Sequence, residues 1–545
     1  MQNFDKDLYS IQGARDLARR GKIAADKLAD YTEEQIDNII RNMVKVAEDY
    51  AVCLAKMAVE ETGFGNAEDK TFKNQLASTV LYDSIKDMKT IGVIREDEEN
   101  KLMEIAEPVG LVMGIVPSTN PTSTTIFKSI IAIKSRNAIV FSPHPSALKC
   151  TLKAAELMRD AAVEAGAPAD VVGCIEVPSM GATNELMKSP EVSVIIATGG
   201  PGMVKAAYSS GKPALGVGAG NSPAYIERTA DVHKAVKNII ASKTFDNGTI
   251  CASEQSIICE ECNRSLVLDE LKKQGGYFMS ADETNKVCDL LFKNGHAMNA
   301  KFVGRTPQVI AEAAGFSVPS DAKVLIGQQS GVGPGYPLSY EKLTTVLAFY
   351  TVKDWHEACD LSIALLQNGI GHTMSLHTED RDIVMKFAKK PASRILVNTG
   401  GSQGGTGATT GLNPSFTLGC GTWGGSSVSE NVTPMHLLNI KRVAYGLIDP
   451  SEVSASGSNM NYAPSSNANT SSCCNEKHAC TSAKREMDMS PDQIAAGSIN
   501  QSCSSSKDTV VSSDACAGAK IEDLAKDENL LKLVSQIVES MKKGN

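Results

Sequence analysis

The chain has 545 residues, 54 lysines and arginines against 63 aspartates and glutamates, and a formal charge of -9, with 42% hydrophobic and 21% charged residues. That length holds two or three domains around a large buried core, in the proportions of an ordinary globular protein. The acidic balance argues against a nucleic-acid partner, because polyanion binding needs clustered Lys and Arg at the phosphates.

The first ten residues, Met1-Gln-Asn-Phe-Asp-Lys-Asp-Leu-Tyr-Ser10, lack the basic start and apolar core of a signal peptide. No run approaches the length of a membrane span, so a cytoplasmic protein with no membrane partner is expected. The 14 irregularly spaced cysteines then read as thiols rather than as a disulfide framework. Residues 11–60 carry helical periodicity, with Ile36, Ile39, Ile40, Met43, Val44, Val46 and Ala47 on one apolar stripe. From about residue 105, short apolar runs ended by Gly or Pro alternate with amphipathic segments. Residues 109–116, 138–141, 171–172 and 192–197 are predicted as buried parallel strands, and 147–164 as a crossover helix. The class is α/β, with a doubly wound, Rossmann-like sheet.

A second α/β region is expected from 231 to 430, with strands at 256–259, 345–350 and 394–397, ending in the glycine-rich stretches 400–407 and 419–425. After Pro450 the composition shifts to Ser, Asn and Ala. Residues 451–520 bury too little apolar surface to offset chain entropy and read as a flexible linker. Leu530, Leu533, Val534, Ile537, Val538 and Met541 then recur at helical spacing, giving one amphipathic helix at 521–545.

Three segments carry chemistry. Thr244-Phe-Asp-Asn-Gly-Thr-Ile-Cys-Ala-Ser-Glu-Gln255 delivers Cys251 between an Asn247-Gly248 turn and an apolar strand. A thiol at such a junction faces a cleft, where turn N–H groups can stabilise a thiolate or an oxyanion, so Cys251 is the candidate nucleophile. The strand ending at Ala197 runs into Thr198-Gly-Gly-Pro-Gly202 and a helix, where glycines let backbone N–H groups approach phosphates. In Pro117-Ser-Thr-Asn-Pro121, Asn120 sits in a loop at a strand's C-terminal end, either as an oxyanion donor or as a turn-forming Asn before Pro.

Together with Val140-Phe-Ser-Pro-His-Pro145, Gly216-Val-Gly-Ala-Gly-Asn-Ser-Pro223, Glu341-Lys-Leu-Thr-Thr-Val-Leu-Ala348 and Gly369-Ile-Gly-His-Thr373, these pieces occur in the order found in the aldehyde dehydrogenase superfamily. Over residues 5–449 the chain resembles its coenzyme A-acylating branch, including the microcompartment-associated acetaldehyde and propionaldehyde dehydrogenases. The resemblance implies that Cys251 is the nucleophile and that Asn120 forms the oxyanion hole with the Cys251 N–H. It further implies that Ser142, Pro143, His144, Thr198, Gly199, Gly200, Gly202, Val217, Gly218 and Glu341 hold the cofactor, with Glu341 on the nicotinamide ribose. The domains become 1–230 for NAD and coenzyme A, with an oligomerisation segment near 95–112, then 231–430 for catalysis and 431–450 as a return and oligomerisation segment.

Two departures from the hydrolytic relatives matter. Val217 stands where they carry the glutamate that activates water, and a valine cannot accept a proton. Ser142 stands where they carry a cofactor-binding lysine, which leaves NAD against NADP open. The resemblance therefore implies an acyl-CoA-forming enzyme that uses NAD and coenzyme A, with a carboxylate-forming enzyme as the alternative. It acts on a small aldehyde, forms a homo-oligomer (dimer or tetramer) and works in the cytoplasm, within a microcompartment lumen. The helix at 521–545 resembles the encapsulation helices that bind shell proteins, and the alternative is a cap on its own enzyme. His144 and His372 could contact a phosphate or assist coenzyme A, and a satisfied structural histidine is the reading preferred for each from the residues alone. Cys473, Cys474, His478 and Cys480 match no usual zinc spacing, so no metal is expected.

Overall fold

The computed structural model describes residues 5–450. The expected linker and terminal helix, and the cysteines from Cys473 onward, lie outside the described residues.

The N-terminal helices Lys6–Leu28, Glu33–Asp49 and Ala51–Thr62 form through local signals that agree with their packing. Helix Glu33–Asp49 opens with a reciprocal capping box between Thr32 and Gln35. It buries Ile36, Ile39, Ile40, Met43, Val44 and Ala47, while Val46 is only half-buried. Each large apolar side chain so buried contributes about 1.5–3 kcal/mol relative to exposure.

These helices lie against a five-stranded parallel sheet in the order Val172–Cys174, Ala138–Pro143, Leu111–Val116, Val192–Thr198, Ala214–Val217. Every residue of Leu111–Val116 and Ala138–Pro143 is buried, because helices cover both faces, and so they read as unbroken apolar runs. The chain leaves the central strand Leu111–Val116 in one direction and returns on its other side at Val192–Thr198. That switch point is where such sheets bind ligands. Lys128, fully buried on helix Pro121–Lys134, donates from Nζ to the carbonyls of Ile115 at 2.6 Å and Ile196 at 3.0 Å, tying the two strands together there.

The second sheet has seven parallel strands in the order Gly276–Phe278, Val324–Gln328, Val346–Val352, Glu254–Glu260, Ser222–Ile226, Gly371–His377, Ala392–Val397. Both domain limits drawn from the sequence are corrected by it. Ser222–Ile226 lies inside this sheet, ahead of the expected start at 231, because a fully buried strand needs hydrogen-bonding neighbours on both edges. At the other end, Phe416, Leu418, Cys420 and Val428 are buried in the core of the first lobe. The second lobe is therefore an insertion into the first, entered after Val217 and left after Val397.

A three-stranded antiparallel ribbon joins Gly92–Asp97, Leu102–Pro108 and Leu438–Ala444, with Leu438 opposite Pro108 and Ala444 opposite Leu102. Segments 95–112 and 431–450 thus meet in one element. Among the described residues no helix is long and apolar enough to cross a membrane.

Candidate active site

Cys251 is placed by the short helical turn Phe245–Gly248, in which Asp246, Asn247 and Gly248 all have left-handed backbone with φ of 47°, 51° and 76°. The turn leads through the buried Thr249 and Ile250 to Cys251 and on into Glu254–Glu260. The two segments that cross between lobes close directly on the nucleophile. A Cβ at Gly220 would lie 1.9 Å from the Cys251 carbonyl oxygen, and one at Gly401 would lie 2.2 Å from that of Ala252, so only glycine permits either approach.

His372 Nε2 lies 3.2 Å from Cys251 Sγ. Burial, followed by the neighbouring Glu341 carboxyl and Cys420 thiol, pushes the Cys251 thiol up to about 12, against Arg394 and its own backbone N–H, which pull it down. The residue as a whole is half-buried, but its sulfur sits deep in the cleft. Desolvation thus outweighs the nearby donors and keeps the proton on the thiol at neutral pH.

The His372 ring is fully buried, and burial followed by the Arg394 charge holds it well below the usual histidine range, so it is neutral. Its Nδ1 lies 2.8 Å from Thr373 Oγ1, which also accepts from Arg394 Nε at 3.2 Å. Arg394 further donates to the carbonyls of His372 at 3.1 Å and Gly419 at 2.6 Å. Its buried guanidinium adds a positive potential beside the sulfur.

Asn120 caps helix Pro121–Lys134 with φ -136° and ψ 54°. Its Nδ2 reaches Thr119 Oγ1 at 3.1 Å and the Thr249 carbonyl at 3.5 Å, which brings the amide to the loop that carries Cys251. Its Oδ1 accepts from Lys73 Nζ at 2.7 Å.

The cofactor candidates divide. Gly199, Gly200, Gly202 and Gly218 line open space, since a Cβ at any of them meets no atom within 4 Å. They rim the C-terminal ends of Val192–Thr198 and Ala214–Val217, at the start of helix Pro201–Tyr208, where a phosphate-bearing cofactor fits. Thr198 Oγ1 pairs with Thr417 Oγ1 at 3.2 Å. The buried Ser142 hydroxyl pairs with Thr183 Oγ1 at 2.9 Å. Pro143 is buried at the strand end, and exposed His144 accepts from the Ser146 N–H at 3.2 Å, capping the turn Pro145–Ala147. Val217 is buried in the apolar cluster against which Cys251 packs. The Glu341 carboxyl accepts from the Gly220 N–H at 2.8 Å, and burial raises it to about 7.

The profile of the aldehyde dehydrogenase family matches residues 10–286. The chain belongs to the aldehyde dehydrogenase family. Among curated relatives it is 49% identical over 435 residues to the bifunctional aldehyde-alcohol dehydrogenase AdhE of Escherichia coli (strain K12), covering 78% of this chain and 49% of that protein. The chain thus spans about half the length of the first curated relatives it matches. Among solved structures it resembles an acetylating aldehyde dehydrogenase from Geobacillus thermoglucosidasius at 55% identity and TM-score 0.80, over 82% of this chain and 99% of that one. Two propionaldehyde dehydrogenases follow. One, from Rhodopseudomonas palustris with bound CoA and an acylated cysteine, has 28% identity and TM-score 0.72 over 79% and 97% of the two chains. The other, from the Clostridium phytofermentans fucose utilisation bacterial microcompartment, has 26% identity and TM-score 0.70 over 78% and 96%.

In this chain the structure brings Cys251, Asn120 and Glu341 together and adds His372, Thr373 and Arg394, of which the sequence singles out only His372. The signal there is Gly369-Ile-Gly-His-Thr373, a histidine at the mouth of a strand opened by two glycines. Arg394 gives none, because only the register of Gly371–His377 against Ala392–Val397 sets it beside Thr373.

Proposed function

We propose that this aldehyde dehydrogenase oxidises a short-chain aldehyde, propionaldehyde or acetaldehyde, with NAD and passes the acyl group to coenzyme A. The observation that carries the reading is His372 Nε2 at 3.2 Å from Cys251 Sγ, in a cleft where buried Val217 supplies no carboxylate for water.

In this reading His372 takes the Cys251 proton as the sulfur bonds to the aldehyde carbon. The carbonyl π electrons move to oxygen, and Asn120 Nδ2 with the Cys251 N–H binds that oxyanion, each donor contributing about 3–4 kcal/mol. The glycine rim and Glu341 would hold the nicotinamide cofactor, which would take the hydride from the adduct so that Cys251 carries an acyl thioester. His372 gives that first proton up to solvent, and the thiol of coenzyme A then attacks the thioester carbonyl and loses its own proton to the freed imidazole. A new carbon–sulfur bond to coenzyme A forms, the bond to Cys251 breaks, and the departing sulfur recovers the proton.

The ribbon of Gly92–Asp97, Leu102–Pro108 and Leu438–Ala444 exposes Val93 and Val443, and the residues just after it expose Tyr445, Leu447 and Ile448, which supports pairing into a dimer or tetramer. A cytoplasmic location within a microcompartment lumen, through a shell contact of residues 521–545, is supported by the helical periodicity of that segment and by likeness to a microcompartment enzyme.

NADH formation from two- to six-carbon aldehydes, with and without coenzyme A and with the product identified by mass, tests this. Sustained turnover to acyl-CoA is expected only with coenzyme A. Steady carboxylate production at an equal rate without it would establish the hydrolytic alternative.

A further inference from the structure

Helix Ala67–Gln75 turns two buried lysines, Lys70 and Lys73, toward the loop that carries the nucleophile. Both ammonium groups bond Asp246 Oδ2, Lys70 at 2.8 Å and Lys73 more closely. The aspartate is pinned from several sides. Its Oδ1 accepts from the Asn66 N–H at 2.9 Å, its Oδ2 from Thr249 Oγ1 at 2.7 Å, and its own N–H donates to Asp69 at 2.7 Å. Burying a cation costs several kcal/mol unless it is paired, and Asp246 and Asp69 both counter Lys73, so what sets it apart from Lys70 is a contact beyond the ion pairs.

Its remaining donors supply one. Lys73 Nζ also donates to Thr249 Oγ1 at 3.0 Å and to Asn120 Oδ1 at 2.7 Å, whereas Lys70 reaches only the Thr119 carbonyl, at 2.9 Å. An ammonium has three donors and no acceptor, so the amide atom that faces it must be oxygen. That contact fixes the flip of the Asn120 side chain and leaves Nδ2 on the side of Thr249 and the nucleophile's loop. A cation on the carbonyl end of an amide also polarises it and strengthens its N–H as a donor.

We propose that Lys73 is a positioning residue for the oxyanion hole, orienting and polarising the Asn120 amide from behind. The inference rests on the reading of Asn120 as an oxyanion donor. As negative charge grows on the substrate oxygen, the chain from ammonium to amide to oxyanion strengthens at each link, while the aldehyde's ground state gains little. The effect therefore falls on kcat, and KM for NAD and coenzyme A is left alone.

The test is a double-mutant cycle in the full-length chain, with kcat, KM and melting temperature measured for each variant. Asn120→Ala should cost about 100- to 1,000-fold in kcat, the loss typical of one oxyanion donor, and Lys73→Met about tenfold. Lys73→Gln, which keeps a donor without the charge, should fall between wild type and Met. Combining Lys73→Met with Asn120→Ala should be no slower than Asn120→Ala alone, because Lys73 acts through that amide. Lys70→Met, which breaks an ion pair with the same aspartate, should lower the melting temperature comparably yet keep kcat within about threefold. A full tenfold loss from Lys73→Met on top of Asn120→Ala, or an equal kcat loss from Lys70→Met, overturns the inference. An Asn120→Ala enzyme of wild-type rate overturns the oxyanion reading instead. If Lys73→Met does not fold, the Lys73→Gln cycle decides by the same coupling.

Discussion

His372 and Cys251 are joined at 3.2 Å through Nε2 and Sγ, and the other ring nitrogen is committed to Thr373 Oγ1 at 2.8 Å. One neutral imidazole thus stands between the nucleophile and a hydroxyl held by Arg394. The tautomer with Nδ1–H donated to Thr373 leaves Nε2 as acceptor toward the thiol hydrogen, which a thiol near 12 keeps almost wholly at about pH 7.

Replacing His372 with Ala should slow the pre-steady-state NADH burst by about 100- to 10,000-fold near neutral pH, the range for loss of a general base. The variant should recover about tenfold per pH unit, because hydroxide then does the deprotonation and the thiolate fraction rises while still far below its midpoint. Stopped-flow bursts from about pH 7 to 10 measure both, and a variant that bursts at the wild-type rate removes His372 from the proton path.

Cys251→Ala should abolish NADH formation and the acyl adduct seen by intact mass, since every covalent step passes through that sulfur. Cys259, buried on the strand Glu254–Glu260, faces the core, so Cys259→Ala should leave kcat nearly unchanged. Turnover in folded Cys251→Ala would refute the assigned nucleophile.

Without coenzyme A, the wild-type enzyme should give an NADH burst of about one per site and then slow hydrolysis, because the base position is valine. Val217→Glu should raise the rate of carboxylate release and lower the melting temperature together. The new carboxyl must enter a site where Val217 is 1% exposed, and an unpaired buried polar group costs about 2–7 kcal/mol. A stable variant with unchanged hydrolysis would show that water is excluded by something other than a missing base.

Glu341 carries a pH dependence of definite sign. Burial raises its carboxyl from 4.5 to about 7, so the folded protein keeps a proton that the unfolded chain gives up between those values. Its contribution to stability is present at low pH and lost as pH rises through about 7. The ionised form is the better acceptor for a ribose hydroxyl, so KM for NAD should fall as pH rises from about 6 to 8. Glu341→Gln should flatten that dependence, and a Gln variant with the wild-type pH profile would move the effect to another group.

Much of this is legible in the sequence, for physical reasons that can be named. The buried strands Leu111–Val116 and Ala138–Pro143 announce themselves as unbroken apolar runs, and Cys251 stands at a turn whose left-handed residues are Asp, Asn and Gly, the types that tolerate that backbone. Ser222–Ile226 falls on the wrong side of the expected boundary because a short apolar run carries no mark of which sheet will pair with it. Lys73 and Arg394 are invisible for a related reason. Both are cations that look solvated in a linear sequence, and only tertiary partners remote in the chain, Asn120 and Asp246 for one and Thr373 and Asn431 for the other, show why they are inside.

Because the second lobe is spliced into the first, the chain crosses between them at two places, and those crossings are the segments whose glycines press on the carbonyls of Cys251 and Ala252. The joins between the lobes and the backbone of the nucleophile are thus one piece of packing, so a side chain added at Gly220 or Gly401 would part the lobes and displace the reactive sulfur in the same step.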